Sequence, residues 1–303
     1  MTQMNRISGG LIDRSKTVNF SFDGARYQGH AGDTLASALL ANGVRLMGRS
    51  FKYHRPRGPV AAGHEEPNAL VGLGEGARFE PDTRATVLEL FDGLKAQSQN
   101  AWPSVDLDVM AVNQLVGRFL PAGFYYKTFM APSTAWKSLY EPFIRKSAGL
   151  GKAPKEPDAD TYEHLYAHSD VVVVGGGVAG LTAARAAAAT GAKVLVLEQG
   201  AQWGGRAPVD ARADGAMIDG LTPDEWVKKA LEELEGQENV TLRLKTAAAG
   251  VYDHGYLTAE ERLDGTDPRR RLWRIRAGRI VTATGAIERP LAFAGNDRPG
   301  VML

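Results

Sequence analysis

The sequence predicts an α/β protein of two domains, and three observations predict it. An apolar strand runs into Gly175-x-Gly177-x-x-Gly180, followed by a small-residue helix and a second strand that ends in Glu198. The first hundred residues order a strand pair, a short helix and a basic loop. No cysteine occurs anywhere in the chain. A length of 303 residues accommodates about two domains, and 44% hydrophobic residues suffice for ordinary cores. A formal net charge of +1 gives no reason to expect nucleic acid or an anionic membrane as a partner. No apolar stretch is long enough for a bilayer, and the first residues lack the apolar core of a signal peptide, so the expected location is the cytoplasm.

Residues 1–100 are expected to form the first domain. Val18–Phe22 alternates apolar and polar residues, Asp23-Gly24 is a hairpin turn, and Ala25–Gly29 returns. Gly32, Asp33 and Thr34 supply caps for a helix whose apolar face is Leu35, Ala36, Leu39 and Leu40, and Gly43 stops it. With the basic loop Arg49–Gly58, this is the order of a ferredoxin-like β-grasp domain, which commonly wraps a [2Fe–2S] cluster in that loop. Such a cluster needs thiolates, or thiolates with histidines, and the chain has none to offer. The absence also excludes disulfides and thiol nucleophiles. Ala85–Phe91 reads as a further short strand, His54 as part of a solvated or paired basic loop, and Glu65 and Glu66 as surface or turn residues.

Residues 101–165 are expected to be a helical, aromatic connection and linker. Leu107, Met110, Ala111, Leu115 and Phe119 have the spacing of an amphipathic helix, and Phe124–Met130 and Trp136–Ile144 add an aromatic, basic stretch. These residues pack within the chain or offer a docking surface for a partner protein. The Gly, Pro, Lys and Asp content of Lys146–Asp160 marks an exposed linker. His164 and His168, four apart, would share a helical face, but no third ligand accompanies them and no metal is expected.

Residues 166–303 read as an FAD/NAD(P)-binding, Rossmann-like domain. Val171–Val174 is a buried parallel strand. In the turn that follows, Gly175 allows a tight bend, Gly177 lets the backbone approach a pyrophosphate, and Gly180 lets the helix lie close to the sheet. The amides of Val178 and Ala179 at the helix start favour an anion. A second strand, Lys193–Leu197, delivers Glu198, whose carboxylate accepts ribose hydroxyls and repels a 2′-phosphate, which argues for NAD or FAD over NADP. Gly204, Gly205 and Arg206 form a loop able to cover the ligand. Thr222-Pro-Asp-Glu225 is a capping box, with Trp226, Val227, Ala230, Leu231 and Leu234 on one helical face. Stretches near Thr241–Lys245, Val251–Glu261 and Leu272–Arg276 read as an antiparallel meander, and Ile280–Ala286 as a last strand ending at Thr284 and Gly285. Helix, meander and a strand ending in Ala-Thr-Gly form the layout of the glutathione-reductase type of dinucleotide domain.

The motifs GDTLASALLANGV, RSFKYHRPRG, GHEEPNALV, SQNAWPS, PAGFYYKTFM, LYEPFIRKSAGLG, VVVVGGGVAGLTAA and ATGAIERPLAFAGNDRPGVML, in this order, are a specific set. By them the chain resembles the N-terminal part of the alpha subunits of heterotetrameric sarcosine oxidases, with opine oxidase and hydrogen cyanide synthase large subunits as more distant neighbours. The resemblance implies an oxidoreductase assembly that converts sarcosine, oxygen and water to glycine, formaldehyde and hydrogen peroxide, with tetrahydrofolate taking the one-carbon unit. It implies beta, gamma and delta partners, FAD in the beta subunit, and FMN at the alpha–beta interface. In this chain it implies NAD held by the turn at Gly177 and Ala179, by Glu198, Gln199, Gly200 and Arg206, and near Ala248. It also implies that the dinucleotide domain is truncated at its C-terminal end. Two other readings stay open: an FAD-binding subunit of an opine or amine dehydrogenase, and a non-catalytic nucleotide-binding scaffold.

Overall fold

The computed structural model describes residues 3–7, 12–115, 117, 123, 129–148, 151–211, 215–264 and 267–303. They form two compact units, one of Met1–Ala159 with Ile287–Leu303 and one of Asp160–Ala286.

In the first unit, β1 (Asp13–Phe22) and β2 (Ala25–Ala31) make the expected hairpin. Its turn residues Asp23 and Gly24 both have positive φ, 50° and 79°, which matches the right-handed twist of the strands. Helix α1 (Leu35–Ala41) starts at a capping box in which the Thr34 hydroxyl accepts from Ser37 N and the Ser37 hydroxyl accepts from Thr34 N. Two-residue strands β3 (Gly48–Arg49) and β4 (Pro56–Arg57) pair with each other, so the basic loop is a small hairpin. Then come β5 (Leu70–Leu73), β6 (Glu80–Arg84) and β7 (Leu94–Gln97). The sheet order is β2-β1-β7-β5-β6, with β1 and β7 parallel. Phe20, Phe22, Leu35, Leu39, Met47, Val71 and Leu94 form its core.

Three expectations for this unit give way. Ala85–Phe91 is not a strand but a turn, buried at Ala85, Thr86 and Leu90, because its carbonyls serve the start of α1: Leu35 N donates to Leu88 O at 2.8 Å and Ala36 N to Ala85 O at 2.9 Å. The amphipathic helix through Leu107 is a 3-10 turn, Val109–Gln114, whose Val109 and Val112 are solvent-exposed, as are the flanking Leu107 and Leu115; Phe119 and residues 124–128 lie outside the described residues. Its start is capped by Asp108, which accepts from Met110 N. Glu66 is not a surface or turn group, whereas the basic loop is paired within the unit through His54. His54 is buried with its Nδ1 2.7 Å from Asp108, and Glu66 is 1% exposed. Helix α2 (Glu141–Ala148) continues a π-turn at Trp136–Tyr140.

Residues 287–303 join this unit through their contacts. Arg57 and Arg55 both reach the Asp297 carboxylate, the latter at 3.2 Å, and Leu303 N donates to Val60 O at 2.8 Å.

The second unit contains β8 (Tyr162–Val174), α3 (Val178–Ala188), β9 (Val194–Leu197), α4 (Ala207–Asp210), α5 (Pro223–Glu235), β10 (Val240–Arg243), β11 (Thr246–Tyr252), β12 (Tyr256–Arg262) and β13 (Arg270–Thr282). The sheet order is β10-β9-β8-β13-β12-β11. Strands β10, β9, β8 and β13 are parallel, and β13, β12 and β11 are antiparallel. Burial on both faces explains the unbroken valine run: Val173 enters the core beneath α3 and α5, and Val172 packs on the other side with Leu257, Trp273 and Ile275.

The meander differs from expectation in register. Thr241–Lys245 supplies a parallel strand beside β9, and Val251–Glu261 is broken by a turn at His254, whose φ of 59° takes it out of the extended region. The strand near Leu272 and the strand at Ile280 are one element, β13, paired along its length with β8. That pairing extends β8 back to Tyr162, so His164 and His168 stand on a strand and not on a helix. Both are exposed, and among the described residues no group of three His, Asp or Glu side chains could hold a metal. Among the described residues, no helix is long and apolar enough to cross a membrane.

Candidate functional site

The glycine turn between β8 and α3 is built by backbone that tolerates no side chain on one side and leaves space on the other. Gly175 has φ +110°, and a Cβ there would meet Ala283 O at 2.3 Å. A Cβ on Gly180 would meet Gly175 O at 1.8 Å, so only glycine lets α3 sit this close. At Gly177 the nearest atom to an added Cβ is Gly205 Cα, 3.8 Å away. The protein itself therefore has room there, which is the cradle a pyrophosphate approaching the backbone needs. Gly177 is the N-cap of α3 and offers no side-chain cap, and the first α-helical bond is Leu181 N to Gly177 O at 2.9 Å. The amides of Val178, Ala179 and Gly180 precede it, directed to the helix start where the dipole favours an anion.

Glu198 stands where β9 ends, half-buried. Its Oε2 accepts from Gly176 N at 2.6 Å and its Oε1 from Gly200 N at 2.7 Å. Its backbone is held by Glu198 N donating to Arg243 O and Thr246 N donating to Glu198 O, both at 2.8 Å. The carboxylate thus ties the glycine turn to the loop after β9. The second glycine loop closes on the same turn: Gly204 N donates to Gly176 O at 2.8 Å, and a Cβ on Gly205 would come within 3.0 Å of Gly177 Cα.

The other sequence-predicted residues fall around this centre unevenly. Gln199 is exposed, and its carbonyl accepts from Arg262 at 3.3 Å. Arg206 precedes α4 at the N-cap position without a side-chain cap, its Nε 3.9 Å from Asp210 and its side chain 60% exposed. Ala248 lies on β11, two residues beyond Thr246 and hence on the same strand face. Thr284 and Gly285 are exposed and follow Ala283, whose amide donates to Val174 O at 2.8 Å beside the turn. The structure brings Gly175, Gly177, Gly180, Glu198, Gly200 and Gly205 into one knot, tied by the hydrogen bonds of Gly176 and Gly200 to Glu198 and of Gly204 to Gly176.

Gly176 and the Trp203 ring it packs against lie outside the fingerprint. A Cβ on Gly176 would lie 2.4 Å from the Trp203 ring and 3.0 Å from Glu198 Cβ, so this glycine is required by the protein's own packing. The signal was the uninterrupted glycine triplet, but the tryptophan that makes it necessary lies 27 residues on.

A β-grasp unit and a unit with a glycine turn, a closing acid and a parallel sheet define a ferredoxin-like plus dinucleotide-binding class of protein. Residues 15–101 match the family model of a 2Fe-2S iron-sulfur cluster binding domain, and residues 169–302 that of a pyridine nucleotide-disulphide oxidoreductase. Across nearly all its length the chain is a relative of the sarcosine oxidase alpha subunits. It is 52% identical to the sarcosine oxidase alpha subunit of Rhizobium meliloti (strain 1021) over 97% of the chain and 30% of that protein. It is 35% identical to the corresponding alpha subunit of Corynebacterium sp. (strain U-96) over 98% of the chain and 26% of that protein. An opine oxidase subunit of Agrobacterium tumefaciens (strain Ach5) is a weaker match, 30% identical over 44% of the chain and 27% of its own length. The chain spans less than a third of the length of these relatives. The crystal structure of L-proline dehydrogenase from P. horikoshii shares the fold, with a TM-score of 0.60 and 21% identity over 95% of this chain and 44% of that one.

Proposed function

We propose that the chain is the NAD-binding segment of an oxidoreductase alpha subunit that works within a sarcosine oxidase. The single observation that carries the nucleotide reading is the knot at Glu198, an acid fixed at the end of the second parallel strand and bonded to the amide of Gly176. In this reading the amides of Val178 and Ala179 meet the diphosphate, Gly177 and Gly205 allow it to lie close, and Glu198 accepts the adenosine ribose hydroxyls. Gln199, Gly200, Arg206, Ala248, Thr284 and Gly285 line the same region. A 2′-phosphate beside Glu198 would meet a like charge, which favours NAD over NADP.

The reaction assigned to the assembly is oxidation of sarcosine with oxygen and water to glycine, formaldehyde and hydrogen peroxide, with tetrahydrofolate as one-carbon acceptor. Flavins held with a beta subunit supply the amine chemistry, and gamma and delta subunits complete a cytoplasmic complex. In this reading the role of the chain is to hold a nucleotide and to join partners. Its functional division is at residues 1–100, 101–165 and 166–303.

Calorimetric titration of the purified chain with NAD, NADP and FAD tests the reading. Saturable NAD binding, with NADP at least tenfold weaker, supports it. Tight FAD binding with flavin absorption in the visible, and no NAD binding, would replace it with the reading of an FAD-binding dehydrogenase subunit.

A further inference from the structure

The first unit matches a [2Fe–2S] cluster-binding domain, yet the chain has no cysteine. Thiolate ligation is what such a cluster requires, so the residues present do not fit the group. What stands in its place is visible in the loop between β4 and β5. There the backbone converges on the carboxylate of Glu66, which is 1% exposed. Its Oε2 accepts from the amides of Val60 at 2.7 Å and Ala61 at 2.8 Å, and its Oε1 from Asn68 at 2.6 Å and Ala69 at 2.9 Å. Thr86, 5% exposed, reaches the same loop from the segment after β6, its hydroxyl donating to Gly63 O at 2.8 Å.

Four amides aimed at one buried point make an anion site, because a neutral group there would leave donors unsatisfied. A carboxylate provides one negative charge and about four lone-pair directions, and four amides use them. The spacing adds an independent observation. Ala61 and Glu66 are separated by four residues, and Glu66 and Ala69 by two. That is the C-x4-C-x2-C spacing of plant-type cluster ligands, whose sulfurs also accept hydrogen bonds from the protein. The basic loop at Arg49–Gly58, where the sequence suggested a cluster would lie, is the β3–β4 hairpin and comes before this segment.

We propose that Ala61, Glu66, Ala69 and Thr86 occupy the four ligand positions of a vestigial [2Fe–2S] site, and that the Glu66 carboxylate replaces the cluster as the anion on which the loop folds. The loop then keeps its shape without metal, since its donors are satisfied from within. Two consequences are specific: the site accepts a cluster again once thiolates are restored, and the four amides depend on the charge of one side chain.

The test is the variant Ala61→Cys/Glu66→Cys/Ala69→Cys/Thr86→Cys, incubated anaerobically with ferrous iron and sulfide. It should take up about two iron and two sulfide per chain, with visible charge-transfer absorption and a paramagnetic reduced state. The parent, and a set displaced by one residue (Ala62→Cys/Pro67→Cys/Leu70→Cys/Val87→Cys), should take up none. A four-cysteine variant with parent-like circular dichroism that binds no more iron than the displaced set overturns the assignment of positions. Glu66→Gln, read by amide hydrogen exchange, decides the role of the carboxylate whether or not the four-cysteine variant folds. Exchange at two or more of Val60, Ala61, Asn68 and Ala69 should quicken at least tenfold, and unchanged protection at all four overturns that role.

Discussion

Glu198 and Gly176 are joined by a 2.6 Å hydrogen bond in which the glycine amide donates to Oε2 of the acid. The other carboxylate oxygen holds Gly200 N, so one side chain organises both walls of the turn. Each oxygen retains a further lone-pair direction, which leaves capacity for ribose hydroxyls. An acid already held in one rotamer loses less freedom when a ligand arrives.

From this follows the first prediction. Glu198→Gln removes the charge and replaces one acceptor by a donor that faces an amide. NAD affinity should fall by about 1–3 kcal/mol, the range for losing hydrogen bonds to a charged group, with the fold retained. Calorimetry on a variant with parent-like circular dichroism is the measurement, and an unchanged Kd would remove Glu198 from the nucleotide site.

Neighbouring glycines should separate stability from binding. Gly176→Ala forces a Cβ to within 2.4 Å of the Trp203 ring, so it should lower stability by about 1–3 kcal/mol through overpacking. Gly177→Val meets no such obstacle from the protein, the nearest atom to its Cβ being 3.8 Å away. It should keep the parent's denaturation midpoint and lose NAD binding, because the branched side chain fills the diphosphate's path. The reverse pattern, measured by urea unfolding and calorimetry together, would place the ligand elsewhere.

The physical reason these glycines were partly legible lies in range. Gly180 is demanded by Gly175 O inside one strand–turn–helix unit, and a periodic motif reports such a contact directly; Gly175 also meets Ala283 O, just past β13, which no local pattern reports. Gly176 is demanded by Trp203, and Glu66 by amides that converge only once its loop has folded; neither leaves a local pattern. The cap at Thr34 and the capping box at Thr222 are readable in the sequence because all their atoms lie within four residues. Strand assignment failed where tertiary pairing overrode local texture. Within Tyr162–Ser169 the sequence offers only the four-residue spacing of His164 and His168, yet the stretch pairs with Arg270–Ala277 because Leu165 and Ala167 on one face meet Trp273 and Ile275. Ala85–Phe91 is apolar enough for a strand but is drawn into a turn by the unpaired amides at the start of α1.

Acid should loosen the segment around Asp297. Burial works to raise the pKa of this carboxyl, but hydrogen bonding and charge from Arg57, with charge from Arg55, outweigh it and hold the pKa below the ordinary aspartate value. A depressed carboxyl contributes stability that is present above its unfolded pKa, about 3.9, and lost as pH falls through the lower folded value. Asp297→Asn should therefore cost about 0.5–1 kcal/mol at neutral pH and nothing once both states are protonated. Unfolding free energies of the two proteins whose difference is the same at pH 7 and throughout an acid titration would refute the linkage.

The last prediction concerns catalysis: the chain alone should not oxidise sarcosine. Hydride removal from an amine requires an isoalloxazine ring beside the reacting carbon–hydrogen bond, in a site that positions both. On the proposed reading the knot at Glu198 holds a diphosphate and a ribose, and among the described residues the buried ionisable groups are already committed: Asp33 to Arg6, His54 to Asp108, Glu66 to four amides, Asp160 to Arg269, and Glu261 to Trp273 and Arg243. Peroxide release on addition of sarcosine should then be at background for the chain alone, even with NAD and FAD supplied, and should arise only when the chain is part of a full-length protein assembled with its partners. Turnover by the isolated chain at a rate comparable to the assembly would mean that a catalytic centre lies within these 303 residues, and that the nucleotide knot is not the chemistry they evolved to perform.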